Sequence, residues 1–263
     1  MKSRVLTALG LIPFVLGAFF CASPWPLLSL ATIVGAIGVW ELSSLLENWA
    51  AWLGFFWLFA LVPMHAGLDP LRQQHWFPIL YFLIGIVATA DYARRRLKLH
   101  IQAALAALWI LVPLLCLVSL HANAVSETWQ FRTPMLLAVL PLWGGDTAAI
   151  FAGKAFGKHL LAPGISPKKT VEGSIANLVV CVIVAACCGL FIDVPMWAAL
   201  SSGIVAGTLG QVGDLFESYL KRQVDVKDSG SLLPGHGGML DRIDSVLFTA
   251  PFVWLILSFV KYP

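Results

Sequence analysis

The chain has 263 residues, of which 59% are hydrophobic and 12% charged, with a formal net charge of +3 and a mean hydropathy of +0.84. Soluble domains run about 45–50% apolar, so a soluble fold is excluded and an integral membrane protein is expected. The length is better measured against the roughly 20 residues of one membrane crossing than against soluble domains, and the apolar runs taken in order below predict a single integral membrane domain, 1–263: an all-α, polytopic transmembrane helix bundle of about nine spans.

The first predicted span follows a basic start at Lys2 and Arg4 and runs to residue 20. It imitates a signal peptide, but Phe19 and Phe20 ahead of Cys21 spoil both a small-residue cleavage site and a lipoprotein-like one, so an uncleaved span is expected. After a break at Pro24 and Pro26, spans are predicted at 27–46, 50–64, 76–90 and 101–120. Together with the first they make an N-terminal part, 1–133. The catalytic part, 134–263, holds spans at 135–151, 175–192, 197–212 and 246–260. Gly144, Gly145 and Asp146 interrupt the apolar run of span six, and Gly203, Gly207 and Gly210 along span eight permit close helix approach.

With the N-terminus placed inside, the basic residues sort strongly: only Arg72, Arg132 and Lys261 fall on the outer side. The loops after spans six and eight then share the cytoplasmic face. The run Arg94, Arg95, Arg96, Lys98 would attract anionic headgroups or simply mark orientation. Cys21, Cys116, Cys181, Cys187 and Cys188 all lie in apolar stretches without metal or redox spacing and read as packing residues.

Charge is concentrated in the stretch SYLKRQVDVKDSGSLLPGHGGMLDRID, 218–244. Carboxylates that can hold a divalent cation, Lys and Arg that can neutralise phosphate oxygens, and glycines that let backbone N–H groups approach an anion belong to a phosphate-handling site. A solvated loop would account for the charges, though not for the glycines. At the end of span eight, Asp214, Glu217, Ser218 and Lys221 follow helical i, i+3, i+4, i+7 spacing and line one face, while Asp241 sits just ahead of span nine. Two such aspartates could clamp a cation or be ordinary helix-terminal acids. His236, in GHGG, could contact phosphate, relay a proton or only hydrogen-bond.

A second constellation spans 146–173, DTAAIFAGKAFGKHLLAPGISPKKTVEG. Ser166, Lys168, Lys169 and Thr170 just ahead of span seven supply donors and positive charge near a helix N-terminus, which suits a phosphate. Lys154 and Lys158 could add to that field or only mark topology. Asp146 could bind metal indirectly, contact a nucleotide or accept hydrogen bonds from neighbouring helices.

These two blocks carry a resemblance. Ser218, Lys221, Arg222, Lys227, Asp228, Gly230, Leu233, Pro234, His236, Gly237, Gly238, Asp241, Arg242 and Asp244 stand at the spacing of the signature of the phosphatidate cytidylyltransferases, or CDP-diglyceride synthases. The block from Asp146 through SPKKTVEG resembles that family's other recurrent segment, departing at Ile150, where an aromatic is common. The resemblance implies a membrane nucleotidyltransferase of phospholipid biosynthesis that converts CTP and phosphatidic acid to CDP-diacylglycerol and pyrophosphate. It implies Mg2+ as cofactor on Asp214 and Asp241, with Asp244 and Asp228 as weaker ligand choices. The implied catalytic set is Asp214, Asp241, Lys221, Arg222, Arg242 and His236. Ser166, Lys168, Lys169, Thr170, Ser218, Lys227, Asp228, Gly237, Gly238 and Asp146 would bind substrate. Expected partners are CTP, phosphatidic acid and membrane lipids, with no nucleic acid and room for a homodimer. The expected location is the bacterial inner membrane, with the site on its cytoplasmic face. A CTP-dependent enzyme acting on another lipid, or an ion-coupled transporter with intramembrane carboxylates, is the alternative.

Overall fold

The computed structural model describes residues 13, 16–21, 23, 25–52, 77–94, 100–122, 133–230, 232 and 237–260. Predicted span one is described only toward its end, where 16–20 is helical, and span three only at 50–52. His236 lies outside the described residues, as do Arg95, Arg96 and Lys98.

The helices, in order, are α1 (Trp25–Leu45), α2 (Phe77–Ala93), α3 (His100–Ala106), α4 (Leu108–Ala122), α5 (Leu136–Phe156), α6 (Val171–Ile192), α7 (Met196–Gln223) and α8 (Leu240–Ser258). The described residues form a predominantly helical membrane protein. By length and composition, α1, the joined 103–122 segment, α5 and α6 could each cross a membrane, and 78–93 is a shorter apolar helix. α7 and α8 are long enough but more polar, because α7 extends beyond the predicted end of span eight to carry Asp214, Glu217, Ser218 and Lys221, and α8 opens on Asp241, Arg242 and Asp244. Predicted span five is divided at Ala107, and α5 runs as unbroken helix through Gly144, Gly145 and Asp146. A small antiparallel hairpin, β1 (Leu160–Ala162) with β2 (Ser166–Thr170), was not anticipated.

Glycines set how closely α5, α6 and α7 approach. A Cβ on Gly203 would stand 2.7 Å from Val182 Cα, and one on Gly207 2.7 Å from Leu178 Cα, so side chains there would force α6 and α7 apart. One on Gly145 would meet Cys181 Sγ at 2.5 Å, joining α5 to α6 in the same way. The N-terminal helices attach through aromatic edges: Phe82 (α2) meets Phe248 (α8) at 5.1 Å and 84°, and Trp109 (α4) meets Phe216 (α7) at 5.6 Å and 84°. The opposite faces of α5, α6 and α7 leave Phe151, Ile175, Val179, Ile183, Trp197 and Ile204 exposed, as lipid-facing surfaces do.

Candidate active site

α5, α6, the hairpin and α7 enclose a cavity of about 500 Å³, within the usual range for small-molecule sites. Asp146, Lys168, Lys169, Thr170 and Asp214 line it, with Asn177, Gln211 and Ser245 completing a polar wall.

The hairpin end is held by local hydrogen bonds. Thr170 is in extended conformation ahead of α6, and its hydroxyl accepts the Gly173 N–H at 3.2 Å, capping the helix. Glu172 turns outward: its Oε2 accepts the N–H groups of Lys158 at 3.1 Å and His159 at 3.3 Å, and its Oε1 meets His159 Nδ1 at 2.7 Å. Those bonds fix the turn leading into β1, and the hairpin in turn carries Lys169 over α7. Lys169 Nζ reaches Asp214 Oδ2 at 2.5 Å. Lys168 lines the same cavity, whereas Ser166, at the far end of β2, does not.

On the opposite wall Asn177 Nδ2 donates to Asp146 Oδ1 at 3.1 Å, and Gln211 Nε2 donates to Asn177 Oδ1 at 3.3 Å and to the Ser174 carbonyl at 3.1 Å. Asn177 and Gln211 were missed in the sequence. They were readable in principle, as amides set within the apolar runs of spans seven and eight, because polar groups at membrane depth need partners.

Below this lies the seam between α7 and α8. A Cβ at Gly213 would stand 2.6 Å from the Asp244 carbonyl, so the helices touch beside Asp214, and the charges of Asp214 and Asp244 bear on each other. Burial first, and then the charge of Asp214, pushes the Asp244 carboxyl up to about 7. About two helical turns further on, Lys221 Nζ donates to Glu217 Oε2 at 2.6 Å and to Asp241 Oδ1. Asp241 Oδ2 accepts the N–H groups of Ser229 at 3.1 Å and Gly238 at 2.8 Å. Burial works against the Asp241 charge, but Lys221 and the Gly238 N–H, with Glu217, outweigh it and hold the carboxyl below its usual range. Gly237 has φ +82, and a Cβ there would come 2.8 Å from Asp241 Oδ2, so the turn requires glycine.

Asp214 and Asp241 both lie on the α7–α8 seam but face different surroundings: Asp214 opens on the cavity beside Asp244, while Asp241 is engaged by Lys221 and backbone further along α7. Ser218 donates to Asp214 Oδ1 at a long 3.4 Å. Arg222 Nη1 donates to the Val226 carbonyl at 2.9 Å and its Nε to that of Ile165 at 3.4 Å, tying the post-α7 loop to the hairpin. Lys227, Asp228 and Arg242 are exposed outside the cavity lining.

Among the described residues no three His, Cys, Asp or Glu groups are drawn together tightly enough to hold an ion as they stand. The donor chemistry nevertheless fits magnesium at Asp214. Asp146 and Asp244, both hard oxygen donors, bear on it electrostatically, and a lysine ammonium now balances it.

A family model described as "Cytidylyltransferase family" matches residues 2–260. A phosphatidate cytidylyltransferase of Staphylococcus saprophyticus subsp. saprophyticus is 41% identical over 150 residues, covering 54% of this chain and 58% of the relative. One of Bacillus subtilis is 44% identical over 128 residues, 48% of each chain, and one of Staphylococcus aureus is 46% identical over 150 residues, 54% of this chain and 58% of its own. The chain thus spans about half the length of the curated relatives it matches.

Proposed function

Since this chain belongs to the cytidylyltransferase family, we propose that it joins CTP to phosphatidic acid, giving CDP-diacylglycerol and pyrophosphate. The observation that carries the reading is the cavity in which Lys168 and Lys169 face Asp146 and Asp214, an arrangement suited to a triphosphate and a divalent cation. It also agrees with what the relatives are named.

In this reading an oxygen of the lipid phosphate attacks the α-phosphorus of CTP. The bond from that phosphorus to the oxygen bridging to the β-phosphate breaks, and pyrophosphate leaves with the electron pair. The nucleophile is already ionised at neutral pH, so no strong base is required, and His236 serves as a phosphate contact or proton relay. Lys169, Lys221, Arg222 and Arg242 bind phosphate oxygens, Lys169 and Lys221 exchanging their present carboxylates for substrate. Ser166, Lys168, Thr170, Ser218, Lys227, Asp228, Gly237, Gly238 and Asp146 complete substrate binding. Asp214 and Asp241 would hold Mg2+, with Asp146 and Asp244 bearing on Asp214. When bound, the ion neutralises charge that develops on the departing pyrophosphate.

The topology proposed with this chemistry has nine spans, the N-terminus inside, and the site at the cytoplasmic face of the bacterial inner membrane. There the acyl chains of the substrate can stay in lipid while the triphosphate stays in water. A homodimer is compatible with the exposed helix faces. Purified protein given Mg2+, phosphatidate and CTP is expected to release pyrophosphate, faster than with UTP or ATP. Absence of pyrophosphate with any nucleotide would reject the reading.

A further inference from the structure

One carboxylate of the N-terminal part reaches into the signature loop. Glu41, near the C-terminal end of α1, is 1% exposed. Its Oε1 accepts the Met239 N–H at 2.8 Å, and its Oε2 accepts the Leu240 N–H at 2.9 Å and the Ser229 hydroxyl at 3.0 Å. The same hydroxyl lies 3.1 Å from Asp241 Oδ2, so a single proton is shared between two carboxylates.

The start of α8 depends on this arrangement. Met239, its N-cap, offers no side-chain cap, and the first N–H groups of a helix need acceptors from elsewhere. Glu41 supplies them from another helix and places negative charge at the positive end of the α8 dipole. Glycines make room for it: a Cβ on Gly230 would stand 2.6 Å from Glu41 Oε1, and one on Gly238 would stand 2.6 Å from Glu41 Oε2. A buried acid on an apolar helix is costly unless its oxygens are met, and here all three donors come from the segment around Asp241.

We infer that Glu41 is the positioning residue that fixes Asp241 and the Gly237–Gly238 turn; this rests on the reaction proposed above. Glu41 acts through Ser229 and the first turn of α8 and touches neither substrate.

The test uses the full-length protein in detergent micelles. Glu41→Gln keeps the side-chain size but turns one acceptor oxygen into a donor facing other donors. Hydrogen–deuterium exchange of the 238–241 amides should quicken about tenfold or more, with α5 and α6 unchanged. The kcat per folded molecule should fall about 10–100-fold, the usual cost of losing a group that orients a metal ligand, while KM for CTP moves less than about threefold. A merely structural role would lower yield and leave kcat per folded molecule at the wild-type value, and that result, or unchanged exchange, overturns the inference. If E41Q does not fold, S229A removes only the shared hydroxyl: a fall in kcat of about 3–10-fold supports the inference and an unaltered kcat overturns it. Should the wild-type protein prove inactive with CTP and phosphatidate, the reaction reading fails, and the exchange measurement alone decides whether Glu41 holds the loop.

Discussion

Asp214 draws the cavity's charges together: Lys169 reaches it from the hairpin, Ser218 from its own helix, and the charges of Asp146 and Asp244 act on it from either side. Because its side chain is 39% exposed, Asp214→Asn should express and melt like the wild type. Its kcat should fall about 100-fold or more, the scale lost when one group stabilising transition-state charge is removed. Steady-state kinetics with CTP and phosphatidate check this, and near-normal rates would refute the metal role. Asp214 and Lys169 were legible because charge is scarce in this chain and each stands in a spaced motif. Glu41 was not singled out, because one acid near the end of an apolar span looks like a helix terminus until its partner segment, far off in sequence, is in view. The division of labour between Asp214 and Asp241 was also hidden, since spacing places both near one interface without saying which lysine each one meets.

The predicted spans of the catalytic part fall on α5 to α8, because long apolar runs bounded by Pro, Gly and charge leave few other choices, but of these only α5 and α6 are long and apolar enough throughout to cross a membrane. Two features escaped. α7 continues as far as Gln223, since Glu217, Lys221 and Arg222 are good helix formers once Asp241 and Val226 satisfy the polar ends. The hairpin from Leu160 to Thr170 shows too little alternation in five and three residues to be read as strands. The glycine spacing along α7 predicts close approach, and the contacts of Gly203 and Gly207 with the α6 backbone show that approach. Gly207→Leu should therefore overpack the α6–α7 contact at a cost of about 1–3 kcal/mol. In a thermal melt of purified protein the midpoint should drop by about 2–10 °C. An unchanged midpoint would mean that the two helices are not held together there.

At the scale of the molecule, a group of glycine-packed helices, α5 to α7, carries the cavity, and α8 brings its acids to the edge of it. α1, α2 and α4 brace α7 and α8 through Glu41 and the aromatic cluster of Phe82, Trp109, Phe216 and Phe248. Membrane character and helical class could be read from composition alone, but this bracing could not, because it joins residues that no local pattern connects. The function we propose for this cavity is transfer of the cytidylyl group of CTP to a lipid. Sealed vesicles of known orientation containing the protein, phosphatidate and Mg2+ and supplied externally with CTP labelled at the α- or the γ-phosphate test it directly. The account predicts that α-label enters the lipid and γ-label stays in water as pyrophosphate, and only in vesicles with the cytoplasmic face outward. No α-label in lipid from either face, or uptake only from the opposite face, would contradict it.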